Sequence, residues 1–211
     1  HVMIYAGRYI FSGKKKYTQM LREMVAIVRE TAEQGRSGLK HGPERNRSFL
    51  AYIDNYSLGI AMIEWFEKKG ISHVGSILSR TFAETAPYTT GVPGTSYRID
   101  TTSLDTMIDS MADINARMPM TRTIRGPYDA PNMWLEDTIS LARMYQADCC
   151  IYCGTPGCRN TWSNVKLLAR DLESVGFPTH IVHADSFDTR VEAWETTQMR
   201  LEEFYKIRGL L

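Results

Sequence analysis

Short apolar runs alternate with amphipathic stretches over most of the chain, and this alternation constrains the fold more than any other feature. Four runs have the length and continuous apolar character of buried parallel strands: residues 48–54, 73–78, 148–153 and 180–184. Helical periodicity fills the intervals, and Gly70 and Gly176 stand where helices would end. Strands that alternate with helices form a parallel sheet covered on both faces. The sequence therefore predicts an α/β fold with an open, doubly wound parallel sheet of about four strands.

A separate segment precedes this alternating pattern. Residues 15–34 carry apolar side chains at three- and four-residue spacing, which predicts a helix with one apolar stripe. Residues 36–47 are polar and contain glycine and proline, as linkers do. We therefore predict a lead-in helix and linker over residues 1–46, followed by the α/β domain over residues 47–211.

Composition and charge exclude several classes of protein. Of the 211 residues, 43% are hydrophobic and 23% are charged, which argues against disorder. The net charge is only +1, so a dedicated nucleic-acid binder is not expected. There is no apolar run of about 18 residues and no signal peptide, so we expect neither a membrane span nor secretion. Because His1 stands in place of an initiator methionine, we expect a fragment, a processed chain or a start within a gene.

All four cysteines fall within ten positions, which favours a reducing, cytoplasmic compartment and makes metal or redox chemistry a hypothesis. Cys149 and Cys150 are adjacent in a predicted strand, so they should face opposite sides of the sheet as small core residues. Cys153 lies at the strand end, and its role stays open between core packing and function. A complete zinc site is not expected in this loop, because zinc takes four ligands.

Cys158 differs from the other three cysteines. It follows a Gly-Thr-Pro-Gly turn and is predicted to open a helix over residues 159–175. A thiol at a helix N-terminus lies near backbone N–H groups and the positive end of the dipole, and Arg159 adds a cation. Both favour the thiolate, which is the nucleophilic and metal-binding form. Local chemistry leaves two interpretations open: a functional thiolate, or a thiol exposed by chance in a surface turn.

Residues 146–211 resemble the C-terminal half of subunits in the 2-hydroxyacyl-CoA dehydratase and benzoyl-CoA reductase family, and within it the 2-hydroxyglutaryl type. The matching features are, in chain order, Ala147-Asp148, Gly157-Cys158-Arg159, Gly176-Phe177-Pro178-Thr179 and Asp185-x-x-Asp188-x-Arg190. Upstream segments are similar in the same order. The resemblance covers nearly the whole chain, but it corresponds to about half of a typical family subunit.

The resemblance implies a flavodoxin-like domain and a place at a 4Fe–4S cluster. In the family the cluster lies between two such domains and is held by cysteines from both. Cys158 matches the single cysteine that the second domain contributes, whereas Cys149, Cys150 and Cys153 match no family ligand. The remaining ligands are therefore expected from a first domain, or a separate chain carrying it, outside this sequence.

Other residues are candidates for surrounding the cluster or for lining a pocket that binds a CoA thioester. Ligands of open α/β sheets bind beyond the carboxyl ends of the strands. The candidates are Thr155, Arg159, Thr161, Trp162, Asn55, Tyr56 and Arg80. Capping, solvation or core packing is the alternative for each of them, and no catalytic residue is assigned.

The activity implied by the resemblance is the removal of water from a 2-hydroxyacyl-CoA to give a 2-enoyl-CoA. The family injects one low-potential electron into the thioester carbonyl, and the resulting ketyl radical expels the hydroxyl group. An ATP-hydrolysing iron–sulfur activator supplies the electron, and a homologous second subunit completes the complex. Three alternatives stay open: a benzoyl-CoA-reductase-type subunit, a docking half-subunit without a cluster, and a thiol redox protein using Cys153 and Cys158.

Overall fold

A long helix lies near the start of the described part of the chain. The computed structural model describes residues 14–52, 58–77, 79, 99–117, 121, 134–158, 162–185 and 187–211. The chain divides into two compact units, residues 1–43 and residues 44–211. In the first unit, helix α1 runs over Lys15–Glu33, and none of its residues is buried. Gly35, with a φ of +66°, follows in the left-handed conformation that commonly ends helices. The predicted lead-in helix is confirmed.

A parallel sheet forms the centre of the second unit. Its described strands are β1 (Asn46–Leu50), β2 (Ile71–Ser76), β3 (Cys149–Cys153) and β4 (Thr179–Val182). They lie in the order β2-β1-β3-β4, and each neighbouring pair is parallel. This order matches the first four positions of the flavodoxin-like arrangement. The predicted open sheet of about four parallel strands is confirmed.

Helices cover both faces of this sheet. The described helices of this unit are α2 (Gly59–Lys69), α3 (Leu104–Arg117), α4 (Leu135–Met144), α5 (Val165–Ser174) and α6 (Trp194–Ile207), of which α2, α4, α5 and α6 cover the sheet. Side chains of α4 and α5 share one core cluster with Phe49 and Cys150, while those of α2 and α6 share another with Leu50 and Ile151. Adjacent strand residues thus belong to opposite core clusters, because successive side chains of a strand point to opposite faces of the sheet. None of the described helices combines the length and apolar character needed to cross a membrane.

The first two strands begin before the apolar runs that predict them. β1 starts at Asn46 instead of residue 48, and β2 starts at Ile71 instead of residue 73. Asn46 and Ser48 are buried although they are polar, because their side chains hydrogen-bond to each other at 3.3 Å. Gly70 ends α2 with a φ of +76°, and β2 follows directly. An apolar pattern cannot detect either start.

The last helix begins later than its sequence pattern predicts. Periodicity predicts a helix over residues 188–207 with Val191 buried, whereas α6 begins at Trp194 and Val191 is 53% exposed. The carboxylate of Asp185 accepts hydrogen bonds from the N–H groups of Phe187 and Asp188, at 2.9 and 3.0 Å. Such local side-chain bonds compete with helix formation and hold this segment in a turn.

Candidate functional site

The carboxyl ends of β1 and β3 meet where the strand order reverses. The chain passes from β1 to β2 on one side, and β3 pairs with β1 on the other. Ligands of open α/β sheets bind at such topological switch points. Ala51 and Tyr52 follow β1 here, and the loop from Gly154 to Cys158 follows β3. Cys158 therefore belongs to a loop that leaves the sheet at the expected ligand position.

Backbone hydrogen bonds hold Cys158 at the end of a tight turn. The N–H of Cys158 donates to the carbonyl oxygen of Thr155 at 2.9 Å, and the N–H of Trp162 donates to the carbonyl oxygen of Cys158 at 3.0 Å. The Cys158 residue is half-buried. Helix α5 runs over Val165–Ser174, and the predicted helix start at residue 159 lies outside the described residues.

The other three cysteines are fully buried in β3, and all four thiols are reduced. Cys150 packs on the α4–α5 face and Cys149 on the α2–α6 face, so the prediction that they face opposite sides is confirmed. Burial raises the pKa of Cys149 to about 11, although hydrogen bonds with Ser48 and Tyr205 act against it. Burial also raises the pKa of Cys150 well above its ordinary value. Both thiols stay protonated at neutral pH, which disfavours metal binding.

Three buried aromatic rings stack at the carboxyl end of the sheet. The Tyr52 ring lies 5.1 Å from that of Trp134 and 5.6 Å from that of Tyr152, measured between centroids. The Trp134 and Tyr152 rings are 6.3 Å apart and almost parallel, with 3° between their planes. The indole N–H of Trp134 also donates a hydrogen bond to the carbonyl oxygen of Ala51. This aromatic stack, Tyr52, Trp134 and Tyr152, ties the ends of β1 and β3 to the start of α4.

Tyr52 lies at the same end of the sheet as the loop of Cys158. Tyr52 is only 6% exposed. Its burial is the main cause that raises the pKa of Tyr52 to about 12, and the Cys158 thiolate is the second. The half-buried Cys158 and the buried Tyr52 therefore lie at the same end of the sheet.

Trp162 is held by packing as well as by its backbone. Its ring meets that of His183 edge to face, with centroids 5.3 Å apart and planes at 76°. It also packs against the core cluster of the α4–α5 face. Trp162 therefore links the loop of Cys158 to the carboxyl end of β4, and its role in lining a pocket stays a prediction.

The remaining predicted site residues fall into two groups. Thr155 is half-buried and supplies the carbonyl oxygen that closes the turn. The others lie outside the described residues, and their roles stay predictions: Asn55, Tyr56, Arg80, Arg159 and Thr161.

Sequence reasoning did not select the aromatic stack. Tyr52 and Tyr152 stand near the carboxyl ends of neighbouring predicted strands. That shared position is the one feature of the sequence that could have indicated contact between their rings. Trp134 carried no such signal, because it meets Ala51 across 83 residues of sequence.

A shallow groove lies beside β4, at the edge of the described sheet. Its lining includes His180, His183, Glu192 and Arg200. Arg200 pairs with Glu192, so these two charges are already compensated. The groove contains none of the predicted site residues. The switch point is therefore the better candidate for the functional site.

The described residues do not supply a complete metal site. Within them, no three or more His, Cys, Asp or Glu side chains come together as a possible ligand set. Iron–sulfur clusters are usually held by four cysteine thiolates. Cys158, half-buried in the loop that leaves β3 at the switch point, fits such a cluster as one ligand among several.

Comparison with known families agrees with the resemblance seen in the sequence. Residues 1–207 match the family described as 2-hydroxyglutaryl-CoA dehydratase, D-component. No curated protein matches the sequence. The matched region covers nearly the whole chain, including Cys158 and the aromatic stack. The chain therefore belongs to the 2-hydroxyglutaryl-CoA dehydratase D-component family.

Proposed function

We propose that this chain is part of an iron–sulfur 2-hydroxyacyl-CoA dehydratase and contributes Cys158 as one ligand of a 4Fe–4S cluster. The complex removes water from a 2-hydroxyacyl-CoA and releases a 2-enoyl-CoA. The family match over residues 1–207 supports a role as a dehydratase component. The observation that carries the site is the position of Cys158, in the loop that leaves β3 at the switch point.

Accessibility favours Cys158 over the other cysteines. A cluster that takes ligands from more than one region needs a thiol that reaches out of its own domain. All four cysteines are described, and only Cys158 is partly accessible, while Cys149, Cys150 and Cys153 are fully buried. These three are therefore core residues in this proposal.

The remaining ligands come, in this proposal, from a first domain or a separate chain that carries it. The family name describes one component of an enzyme, which supports a complex of several components. We include in that complex a homologous second subunit and an ATP-dependent iron–sulfur activator that delivers the electron. The complex works in the cytoplasm, in keeping with four reduced cysteines.

The chemistry needs an electron because the hydrogen that leaves C3 of the substrate is not acidic. When bound, the cluster supplies one low-potential electron to the thioester carbonyl. That electron would let the C2–OH bond break and a proton leave C3 and would then be recovered, so that the net change would be the loss of water. In this chain Cys158 holds one iron, and the buried aromatic stack keeps water from the sheet side of the site.

Thioester assays test the proposed reaction. The enzyme is assembled without oxygen from this chain, its partner components and the activator, and receives 2-hydroxyglutaryl-CoA or benzoyl-CoA. We expect a 2-enoyl-CoA from the first thioester, a loss of about 100-fold or more in Cys158→Ala, and near wild-type turnover in Cys153→Ala. Ring reduction of benzoyl-CoA without dehydration would assign the chain to the reductase branch. The absence of both activities and of iron would leave a docking role.

A further inference from the structure

Helix α1 carries an apolar stripe that is largely exposed. The stripe recurs at three- and four-residue spacing and comprises Tyr17, Met20, Leu21, Met24, Ile27 and Val28. No residue of α1 is buried, and Ile27 and Val28 are 62% and 65% exposed. An amphipathic helix normally buries such a stripe, and a helix of this length on its own is only marginally stable in water. The stripe is therefore a surface suited to a partner.

The spacing of the stripe indicates that this partner is another helix. Its members form three pairs that lie seven residues apart: Tyr17 and Met24, Met20 and Ile27, and Leu21 and Val28. A seven-residue apolar repeat keeps one seam of a helix facing a partner helix in a left-handed coiled coil. The 19 residues of α1 span about 28 Å, and so short a seam gives a weak contact that buries less than about 1,200 Å².

Charges beside the stripe favour an antiparallel partner of the same sequence. Lys16, Glu23 and Glu30 follow one flank of the stripe, again seven residues apart. When two copies of α1 pair in opposite directions, this flank faces itself, and Lys16 of each copy lies opposite Glu30 of the other. In a parallel pair the three lysines at residues 14–16 would instead lie beside their own copies, and like charges repel.

The register that pairs these charges also pairs the apolar side chains. Opposite each other in this register lie Tyr17 and Ile27, Met20 and Met24, and the two copies of Leu21. In the shifted register Met24 meets Ile27. Glu23 would then lie opposite Glu30, and Tyr17 would have no apolar counterpart. The first register forms two contacts between opposite charges, because the pair is symmetric, against one contact between the two Glu23 side chains at its centre.

We propose that α1 is a dimerisation helix, which pairs antiparallel with α1 of a second copy of this chain. The interface is the apolar stripe, and the contacts between Lys16 and Glu30 set its direction and register. This proposal stands apart from the proposed function, since it involves neither Cys158 nor a cluster.

Charge reversal tests the pairing in the full 211-residue chain. By sedimentation equilibrium we expect a dimer with a Kd of about 10–100 µM, which salt weakens. Lys16→Glu should raise this Kd by about tenfold or more, because two attractive contacts become repulsive, and adding Glu30→Lys should restore it. Lys15→Glu is the matched control. Lys15 lies on the side of the helix opposite Met24, so its reversal should leave the Kd unchanged.

Mixing two variants tests the direction of the helices. Chains with Lys16→Glu alone or Glu30→Lys alone should each repel their own kind. In an equal mixture of the two, every contact of the antiparallel pair joins opposite charges, so we expect the mixture to associate as tightly as wild type. A Kd that neither the double variant nor the mixture restores overturns the antiparallel register.

Ile27→Gln tests the apolar stripe and its other possible partners. Glutamine keeps a good helix propensity, so this variant should lose the dimer without loss of stability. A wild-type chain that stays monomeric at tenfold higher concentration than the expected Kd overturns the proposal. If Ile27→Gln then lowers the free energy of unfolding, the stripe packs within the same chain. If it weakens assembly with the partner components instead, the stripe belongs to that interface, and either result replaces the dimer.

Discussion

Gly154 lies so close to Tyr152 that an ideal Cβ on the glycine would stand 2.5 Å from Cε1 of the ring. The ring has little room to move, because Tyr152 is 1% exposed and belongs to the aromatic stack. Gly154 is also the first residue after β3, where the loop of Cys158 begins. The absence of a side chain at this position therefore lets the stack and the loop share the same end of the sheet.

Gly154→Ala should destabilise the protein. The added methyl group forces the buried ring or the backbone to shift, and overpacking of this kind costs about 1–3 kcal/mol. Gly157→Ala is the matched control in the same loop, because nothing lies within 4 Å of its ideal Cβ. Urea unfolding measures both variants. Equal free energies of unfolding for the two would contradict this account of Gly154.

The buried polar cluster of Ser48, Cys149 and Tyr205 should contribute coupled stability. The Ser48 hydroxyl bonds to the Tyr205 hydroxyl and lies 3.2 Å from Sγ of Cys149. These contacts join the start of the sheet to α6 inside the core. A double-mutant cycle of Ser48→Ala and Tyr205→Phe should give a coupling energy of about 1 kcal/mol. Strictly additive losses would show that the two hydroxyls do not stabilise each other.

His180 should make stability fall in mild acid. Burial, followed by the charges of His183 and Arg200, lowers the pKa of His180 from 6.5 to about 4, while Glu192 acts in the opposite direction. Between these pH values the unfolded chain takes up a proton that the folded chain does not. The free energy of unfolding therefore decreases as the pH falls from about 6.5 to about 4, by roughly 1–3 kcal/mol.

The His180→Gln variant isolates this contribution. Carboxylates also affect acid stability, so the informative quantity is the difference between wild type and variant at each pH. We expect that difference to change over the stated interval and to be constant above pH 7, as measured by denaturant unfolding. A constant difference from pH 7 to pH 4 would contradict the lowered pKa of His180.

The fold was predictable from the sequence because its signal is local. Apolar runs and helical periodicity located the four described strands and the helices between them. The errors occurred where polar side chains decide the boundaries. Asn46 is buried in β1 although it is polar, and the carboxylate of Asp185 delays the start of α6 through bonds to nearby N–H groups.

The site was predictable only in part, because its parts meet across long sequence separations. The turn before Cys158 and the family resemblance singled out that thiol. The partners of Tyr52 could not be found in the same way, since Trp134 and Tyr152 reach its ring only in the folded chain. In the sequence, Tyr52 is one residue of an apolar run, and nothing there distinguishes it from the core residues beside it.

Iron and acid-labile sulfide per chain test the central claim most directly. The assembled enzyme is prepared without oxygen as wild type, Cys158→Ala and the buried control Cys153→Ala. If Cys158 holds a 4Fe–4S cluster, wild type and Cys153→Ala should each contain about four irons and four sulfides per cluster, and Cys158→Ala should lose them. Iron and sulfide unchanged in Cys158→Ala would contradict the assignment of Cys158 as a ligand.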